Sequence, residues 1–362
     1  MDWEHLNDFL QTALIPGLPL QRGLVLFAVF LIGIRFLPEF ARKLTLLLTS
    51  VALIEMATSP FYTFLLVIYA GVIYYALFWL QWSQKKKIYC SLLGILTVSL
   101  FFILKDVPFF DTSFTGKFIH QFGISLFVLR MLSVIVETGR GNPLPTDPLD
   151  YFIYQFFTPT FFQGPLERLG EFKENLKEPE AFDVADMGSQ LIRLACGLAK
   201  AWVVVHYLEP DVSGWLSFYL PLVRVYLMMS AMADFTIGAC GFAGYRLHEN
   251  FDYPFLKTSL TQFWRSTMTP LHEWFRDYVY IPLGGKKSLY RNLVISFLCV
   301  GLWYELSVPI ILCALWQATG LYISKKYEGY WQHVPNPLAA LIVIHYVAAG
   351  FFFWKHNFLL PL

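Results

Sequence analysis

The sequence carries little charge, and almost no net charge, for its length. Aspartate, glutamate, lysine and arginine make up 15% of the 362 residues, and the formal net charge is +1 at pH 7. This balance gives no basic surface of the kind that nucleic-acid-binding proteins need, so we expect no nucleic-acid partner. The cysteines are few and mostly stand in apolar runs without metal-ligand or disulfide spacing. We therefore expect small core residues and no metal site at Cys90, Cys196, Cys240, Cys299 and Cys313.

What the sequence has instead is apolar length. It is 56% hydrophobic and 18% aromatic, so a soluble domain would expose far too much apolar surface, and we predict an integral membrane protein. About ten crossings are expected, and the shorter ones indicate tilted, broken or re-entrant helices. The apolar segments lie near residues 21–38, 44–59, 60–83, 88–104, 118–136, 190–208, 215–232, 291–304, 307–323 and 337–354. No repeat or linker interrupts them, which predicts a single integral membrane domain over residues 1–362.

Basic residues near the segment ends predict the orientation. With the segments above, all of these clusters fall on one side, which the positive-inside rule makes cytoplasmic, and both termini are then outside. The clusters are Arg42 with Lys43, Lys85 to Lys87, Lys286 with Lys287, and Lys325 with Lys326.

Two stretches do not fit a simple crossing. Residues 164–189 are rich in charge on a helix-like pattern and predict a cytoplasmic amphipathic connector. Residues 151–165 are aromatic but are interrupted by proline and glycine, which favours a re-entrant turn.

Ionisable residues also occur inside apolar sequence in the C-terminal half. Arg265, Arg276 and Asp277 cannot face lipid cheaply, since a charge at mid-bilayer costs ~2.5 kcal/mol or more, so their segment lies at an interface or lines a cavity. Asp234 precedes a series of glycines that allow close helix packing, which indicates a fixed hydrogen-bond centre. A pair of Asp234 with Arg224 or Lys200 that ties helices together is at least an equal alternative.

Several stretches, in this order, resemble those of one enzyme family. They are GIS at residues 123–125, FFTPTFFQGPLER at 156–168, GLAK at 197–200, ADFTIG at 233–238, HENFDYPF at 248–255 and FWRSTMTPLHEWFRDYVYIPLGG at 263–285. With them the chain resembles the membrane-bound O-acyltransferase (MBOAT) family, in the bacterial branch of alginate O-acetylases and the teichoic acid D-alanyl transfer protein. The resemblance implies an all-α polytopic fold with re-entrant or interfacial helices and a central tunnel. It divides the chain into N-terminal helices (1–115), an MBOAT-like core (116–323) and a C-terminal helix region (324–362).

The same resemblance implies an activity and partners. The expected reaction passes a short acyl group, acetyl in that branch, from cytoplasmic acyl-CoA or acyl carrier protein to a hydroxyl of an extracytoplasmic saccharide or cell-envelope polymer. Membrane lipid and a partner acyltransferase or polymer-export protein are the expected partners, in a bacterial inner membrane. Two alternatives remain open: a catalytically silent relative that acts as an assembly subunit, and a transporter, against which stands the lack of an inverted repeat.

The base that the family uses is replaced in this sequence. The resemblance implies a histidine in a Gly-Leu-Trp-His-Gly motif, and residues 301–305 read GLWYE, so Tyr304 stands in its place. The second histidine of the branch corresponds to Met268. A phenol with a pKa of about 10 is a poor base at neutral pH. Glu305 and His272, which lies four residues after Met268, are the candidate substitutes; a structural partner role is the alternative for Glu305.

The predicted substrate-binding residues surround these positions. For Arg276 and Asp277, a structural ion pair is an equal alternative to holding the phosphates of the donor. Gln163 replaces a small residue of the re-entrant element, which we expect to narrow a passage. The full set is Asn250, Asp234, Trp264, Arg265, Arg276, Asp277, Trp303 and Gln163.

Overall fold

The structure is a computed structural model. It describes residue 29 and residues 36–57, 60–105, 114–145, 147–162, 164–177, 183–208, 216–331 and 333–358. Within these ranges the regular structure is helical, apart from one isolated β-bridge between Phe251 and Thr267. The predicted all-α fold is confirmed for this part of the chain.

Fifteen α-helices account for most of the described residues. They are α1 (Glu39–Ala57), α2 (Pro60–Leu80), α3 (Lys86–Lys105), α4 (Phe114–Arg140), α5 (Pro148–Phe156), α6 (Thr158–Phe161), α7 (Leu169–Lys177), α8 (Val184–Tyr207), α9 (Leu216–Phe242), α10 (Leu260–Arg265), α11 (Thr269–Phe275), α12 (Leu289–Tyr304), α13 (Val308–Lys326), α14 (Glu328–Trp331) and α15 (Asn336–Phe358). Short 3₁₀ turns at Pro254–Leu256 and Gly285–Ser288 and a π-helical turn at Arg276–Tyr280 complete them.

Each predicted apolar segment from residue 44 onward coincides with one of these helices, whereas most of segment 21–38 lies outside the described residues. Four helices of the described part are long and apolar enough to cross a membrane: Pro60–Leu80, Lys86–Ile103, Ser217–Phe242 and Val308–Lys326. The count of about ten crossings, the tunnel and the orientation stay predictions.

Apolar side chains on the outer surface fit a lipid environment. Helix α2 exposes Phe61, Phe64 and Trp79, and the indole of Trp79 is 75% exposed. Water would disfavour such a surface, and lipid would not. The prediction of core positions is confirmed for the buried Cys90, Cys240 and Cys313, Cys299 is half-buried, and the prediction is wrong for the exposed Cys196.

The chain forms two compact units, and helices α8 and α9 contribute residues to both. The first unit comprises Met1–Leu198 and Asp234–Leu247, and the second comprises Ala199–Ala233 and His248–Leu362. The prediction of a single membrane domain stays a prediction.

In the first unit, a buried arginine supports broken backbone. The aromatic stretch folds as two short helices, α5 and α6, instead of one crossing helix. The guanidinium of Arg130, 1% exposed, donates hydrogen bonds to the carbonyl oxygens of Tyr154 and Gln155 at 3.2 and 3.3 Å and to Thr160. These hydrogen bonds satisfy carbonyl oxygens that have no partner within a helix, because the helix is interrupted there. The predicted interruption of this stretch is therefore present, and its re-entry into the membrane stays a prediction.

The predicted amphipathic connector contains helix α7 in the first unit. Phe172 and Leu176 are buried on one side of this helix, and Glu171 near its start is exposed. This division between an apolar and a polar face is the one that the charge pattern predicted.

In the second unit, helices α12 and α13 form a hairpin. Ser307 caps α13 by accepting a hydrogen bond from the backbone N–H of Ile310 at 3.4 Å. Gly301 of α12 lets the helices approach closely, because a Cβ there would meet Ile310 and Ala314 at 3.2 and 3.5 Å. The two helices are therefore antiparallel neighbours, with Tyr304 close to the hairpin turn.

Helix α15 packs against the other side of α13. The Tyr346 ring occupies the space above Gly320, where a Cβ would come within 2.2 Å of it. Gly350 leaves similar room for the amide of Gln317, which donates a hydrogen bond to the carbonyl oxygen of Val347 at 3.2 Å. These contacts fix the face that α13 turns toward α12.

Candidate functional site

A cavity of about 290 Å³ lies within the second unit. Three helices line it with side chains at helical spacing, which means that each turns one face to it. Helix α9 contributes Leu222, Val225, Tyr226 and Met229. Helix α12 contributes Leu293, Ser296, Phe297, Val300, Gly301 and Tyr304. Helix α13 contributes Ile310, Cys313, Ala314, Gln317, Leu321 and Lys325. The stretch from Leu293 to Tyr304 rises by about 16 Å at ~1.5 Å per residue, so the cavity is elongated along the hairpin.

The two ends of this cavity differ in chemistry. One end, which we name the hairpin end, is formed by Met268, Val300, Gly301, Tyr304, Ile310, Cys313 and Ala314. The other, which we name the basic end, is formed by Arg265, His272, Arg276, Tyr280 and Lys325. Positive charge is therefore concentrated at one end of an otherwise apolar space.

At the hairpin end, the two residues that replace the family's expected histidines contact each other. The hydroxyl of Tyr304 donates to the thioether sulfur of Met268 at 3.7 Å. Met268 has a left-handed backbone with φ 47°, uncommon for a residue with a Cβ, and it precedes helix α11. The N–H of Thr269 donates to the carbonyl oxygen of Asn250 at 2.9 Å, which fixes this turn. The segment is thus two short helices joined at Met268, whereas we expected Met268 and His272 to share one helical face.

At the basic end, His272 is a neutral imidazole at pH 7. Burial lowers the pKa of His272 to about 4, and the positive charges of Arg276 and Arg265 act in the same direction. The charge of Lys325 adds to this effect, while Asp277 opposes it. His272 can therefore accept a proton at neutral pH, although three cations oppose its doing so.

Arg276 is already paired with carboxylates. Its guanidinium donates to both carboxylate oxygens of Asp277, at 2.7 and 3.2 Å, and lies 3.5 Å from the carboxylate of Glu273. The hydrogen bond to Asp277 raises the pKa of Arg276. These contacts favour the ion-pair alternative for Arg276 and Asp277, because most of the arginine's charge is compensated locally.

Two other cations of the basic end are not compensated in this way. Among the described residues, Arg265 and Lys325 line the cavity without an ion pair to any carboxylate. The ammonium of Lys325 lies 5.9 Å from the ring centre of Tyr280, a weak cation–π contact. Both charges are thus available to an anion that enters the cavity.

Three polar atoms on the cavity wall are buried without a hydrogen-bond partner in the described part of the chain. They are the indole N–H of Trp264, the hydroxyl of Tyr280 and the side-chain oxygen of Gln317. Buried polar groups are normally hydrogen-bonded, and a bound ligand is one way to satisfy them. The wall therefore offers both a donor and an acceptor to a polar ligand.

The structure brings part of the predicted site together. Trp264, Arg265, His272, Arg276 and Tyr304 line the same cavity. Their positions in the sequence did not predict this, because a shift of one residue along a helix would have pointed any of these side chains away from the cavity.

Other predicted residues lie elsewhere. Among the described residues, Asp277, Asn250, Trp303 and Glu305 are not part of the cavity wall. Asp277 serves Arg276, Asn250 holds the Met268 turn through its carbonyl, and Trp303 is buried. Glu305 is the half-buried residue that ends helix α12. The candidate base role of Glu305 thus stays a prediction without support from the cavity.

Asp234 and Gln163 complete the predicted set. Asp234 belongs to the first unit, where its carboxylate forms an ion pair with Arg193 at 3.2 Å. The helix-tying alternative is therefore supported, with Arg193 as a partner that the sequence did not indicate. The ammonium of Lys200 donates to the hydroxyl of Ser230 at 2.8 Å. Gln163 lies outside the described residues.

Sequence reasoning missed Lys325 and Gln317. We read Lys325 only as a basic residue that sets topology, and Gln317 received no role. A signal was present, because both fall on the α13 face that continues through Ala314 and Leu321 at intervals of three or four residues. A glutamine in a helix that is long and apolar enough to cross a membrane is itself uncommon.

Comparisons with known proteins identify the family of this chain. The MBOAT (membrane-bound O-acyltransferase) family profile matches residues 53–335. A probable alginate O-acetylase of Pseudomonas syringae pv. tomato is 30% identical over 56% of this chain and 42% of its own length. A peptidoglycan O-acetyltransferase of Helicobacter pylori is 24% identical over 76% of the chain and 63% of its own length. A teichoic acid D-alanyltransferase of Streptococcus thermophilus is 23% identical, with coverages of 84% and 81%.

The chain spans about half the length of the alginate O-acetylases that it matches, 42% to 50% in two examples. The family profile, in contrast, covers well over half of this chain, including every residue of the cavity wall in the described part of the chain except Phe351 of helix α15. The relatives are acyltransferases named for polysaccharides or cell-wall polymers, and four described helices of this chain are long and apolar enough to cross a membrane. The chain belongs to the membrane-bound O-acyltransferase family.

Proposed function

We propose that this protein is an O-acyltransferase that moves a short acyl group from a cytoplasmic thioester donor to a hydroxyl of an extracytoplasmic saccharide or cell-envelope polymer. Acyl-CoA and acyl carrier protein are the donor classes, and acetyl is the group in the names of several relatives. The observation that carries the proposal is the cavity, in which a neutral histidine stands beside uncompensated cations and an apolar space. We also propose a bacterial inner membrane, with both termini outside and a partner acyltransferase or polymer-export protein.

In this mechanism His272 is the general base. Its imidazole takes the proton of the acceptor hydroxyl as the oxygen attacks the thioester carbonyl carbon. The tetrahedral intermediate then collapses, the carbon–sulfur bond breaks, and the thiolate leaves with the proton from His272. The indole N–H of Trp264, which has no acceptor among the described residues, donates to the carbonyl oxygen as negative charge develops there.

The cations of the basic end have two effects in this scheme. Anionic groups of the donor bind Arg265 and Lys325, which holds the donor at the cavity. Once their charges are compensated, the positive field on His272 weakens and its pKa rises from about 4, while burial, the larger cause of the lowered pKa, still acts on it. His272 therefore becomes a better base when the donor is bound than when the cavity is empty.

A transfer assay tests the proposal. Purified protein in detergent is mixed with radiolabelled short-chain acyl-CoA and either alginate or peptidoglycan fragments, and label in the polymer is counted. His272→Ala is expected to lower the rate by roughly 10²- to 10⁴-fold. The matched control His333→Ala, at an exposed histidine outside the cavity wall, is expected to keep the wild-type rate. Glu305→Gln tests the other candidate base and is expected to cost less than about tenfold.

Two results would contradict the proposal. Transfer that survives His272→Ala removes the histidine from the mechanism. A wild-type protein that transfers no label to any polymer or to water removes the activity itself.

A second candidate function has one observation in its favour. Tyr304 and Met268 bond to each other where the family resemblance implies histidines, which leaves the hairpin end without a base. A silent relative would bind the donor without turnover and would serve as a subunit of a saccharide-modification or export system. In the same assay it would retain acyl-CoA unchanged while still binding it with a measurable Kd.

A further inference from the structure

At the hairpin end of the cavity, the hydroxyl of Tyr304 directs its proton to a weak acceptor. It donates to the thioether sulfur of Met268 at 3.7 Å, and both residues lie on the cavity wall. A hydroxyl has a single proton to donate, and a thioether sulfur is a weak acceptor. An oxygen atom that carries negative charge is a much stronger one. The proton of Tyr304 can therefore leave the sulfur at little cost in free energy when such an oxygen forms nearby.

The chemistry of a phenol suits the donation of a hydrogen bond. An unperturbed phenol, with a pKa of about 10, keeps its proton at pH 7 and stays a donor throughout a reaction. The neighbouring wall is apolar, with Val300, Ile310 and Ala314. In such surroundings a hydrogen bond to developing charge is stronger than it would be in water. The property that disqualifies Tyr304 as a base thus qualifies it as a donor to an oxyanion.

The backbone holds this donor in place on both sides of the contact. Tyr304 is the last residue of helix α12, which is closed by a hydrogen bond from the Glu305 N–H to the Gly301 carbonyl oxygen at 3.0 Å. Met268 stands in the left-handed turn whose next residue donates to the carbonyl oxygen of Asn250. Donors that are fixed before the reaction stabilise developing charge best, because they need no reorganisation when the charge appears.

Met268 also relates this donor to the proposed base. The N–H of His272 donates to the carbonyl oxygen of Met268 at 2.9 Å, so the two residues stand one helical turn, ~5.4 Å, apart. A base lies about 2.6–3.2 Å from the attacking oxygen, which itself starts about 3–3.5 Å from the carbonyl carbon. A base and an oxyanion donor must therefore be several ångströms apart, with the reacting atoms between them. The position of the Tyr304–Met268 contact, one turn from His272, is of this order.

We infer that Tyr304 is a further catalytic residue, which donates a hydrogen bond to the carbonyl oxygen of the thioester as that oxygen becomes negative. The inference rests on the proposed acyl transfer and adds a second donor to the indole N–H of Trp264. The acceptor oxygen bonds to the carbonyl carbon, its proton goes to His272, and the electron pair of the C=O bond moves to the oxygen that Tyr304 contacts. When the carbon–sulfur bond breaks, the carbonyl re-forms and the thiolate takes the proton from His272. Tyr304 keeps its own proton throughout, and its hydroxyl returns to the Met268 sulfur.

Two variants separate this role from a merely structural contact. Tyr304→Phe removes only the hydroxyl, and Met268→Leu removes the sulfur at nearly equal volume, so both abolish the same hydrogen bond. Tyr304→Phe is expected to lower kcat for transfer from acetyl-CoA by roughly 10²-fold with little change in KM, because a transition-state contact is lost. Met268→Leu is expected to raise kcat by roughly two- to fivefold, because the hydroxyl no longer has to leave an acceptor.

The matched control is Tyr330→Phe, which removes the hydroxyl of an exposed tyrosine outside the cavity wall and is expected to keep the wild-type kcat. Two results overturn the inference. One is a wild-type kcat in Tyr304→Phe. The other is an equal loss of kcat in Tyr304→Phe and Met268→Leu, which would show that the reaction depends on the contact between the two side chains and not on the hydroxyl.

A measurement without turnover tells failure of the proposed function apart from failure of this inference. The protein is loaded with acetyl-CoA labelled with carbon-13 at the thioester carbonyl, and the carbonyl stretch of the bound ligand is recorded by infrared difference spectroscopy. A carbonyl oxygen is already a better acceptor than a thioether, and a hydrogen bond from Tyr304 lowers the frequency of this stretch. The frequency is therefore expected to be lower in wild type and Met268→Leu than in Tyr304→Phe.

This spectroscopic result in a protein without transferase activity supports the donor role of Tyr304 and contradicts the proposed activity. Equal frequencies in wild type and Tyr304→Phe, or a wild type that binds no acetyl-CoA, overturn the inference.

Discussion

Lys43 in the first unit and Lys325 in the second are both lysines near the end of an apolar segment, yet their surroundings differ. The ammonium of Lys43 is 3.0 Å from Glu39, 3.0 Å from Asp147 and 2.8 Å from Asp150. Lys325 lies over the ring of Tyr280 and, within the described ranges, has no carboxylate at ion-pair distance. The first arrangement holds helices together. The second leaves a charge for a ligand.

Arginines show the same contrast. Arg130 in the first unit donates hydrogen bonds to several backbone carbonyl oxygens, so its guanidinium stabilises the fold. Arg265 in the second unit has an exposed side chain at the cavity. The first unit also contains an unsatisfied polar group, because the buried side-chain amide of Gln155 has no hydrogen-bond partner in the part of the chain that the structure describes. Compensated charge thus marks scaffold, and uncompensated charge beside a cavity marks a binding site.

The largest effect on stability is expected from the first unit. Among the described residues, Lys43→Met leaves the buried carboxylate of Asp150 with Lys173 as its one ion-pair partner, at 3.3 Å, and should destabilise the protein by roughly 3 kcal/mol. Lys325→Met should change stability by less than about 0.5 kcal/mol, because no ion pair is lost. Thermal unfolding in detergent measures both. Equal losses for the two lysines would remove the distinction between the units.

Donor binding, in contrast to stability, should depend on the cations of the second unit. Arg265→Met combined with Lys325→Met is expected to raise the Kd for CoA by roughly 10- to 100-fold, since two charge-assisted contacts to phosphate are lost. The control Lys286→Met, at an exposed lysine outside the cavity wall, should leave Kd nearly unchanged. The wild-type Kd should also rise with salt, and that of the double variant much less. If the double variant binds CoA with the wild-type Kd, the basic end does not bind the donor.

The pH dependence of stability isolates His272. The unfolded imidazole takes up its proton near pH 6.5, whereas in the folded protein the pKa is about 4. Stability from the neutral histidine is therefore complete above pH 6.5 and is lost as the pH falls toward 4, by roughly 1–3 kcal/mol. The charges that face it are those of Arg276, Arg265, Lys325 and Asp277. His272→Gln should flatten this part of the stability curve, and an unchanged slope would show that the histidine is not held neutral.

The smallest effect is expected at Gln317. Its side-chain oxygen has no partner within the described residues, and its amide nitrogen makes one hydrogen bond to the Val347 carbonyl. Gln317→Leu should therefore change stability by no more than about 1 kcal/mol, in either direction. The change in donor-binding free energy, measured from Kd, should be larger than this change in the free energy of unfolding. A large destabilisation would show that the glutamine is a structural group.

The sequence predicted the helices well and the site in part. Long apolar stretches predict helices because the membrane allows few other folds, and every described segment agreed. The break at Met268 was not predictable, since it depends on a hydrogen bond to Asn250, which is distant in sequence. Lys325 was misread because a basic residue at a helix end has the same local pattern whether it sets topology or faces a cavity. The partner of Asp234 was missed for a similar reason, since Arg193 stands on another helix.

The central claim is that uncompensated cations beside His272 receive an anionic donor. Calorimetry of acetyl-CoA binding at pH 5.5, in two buffers of different ionisation enthalpy, measures it directly. The account predicts that wild type takes up more protons on binding than His272→Gln does, because the donor's phosphates raise the pKa of the histidine. Equal proton uptake by the two proteins, with binding intact in both, would contradict it.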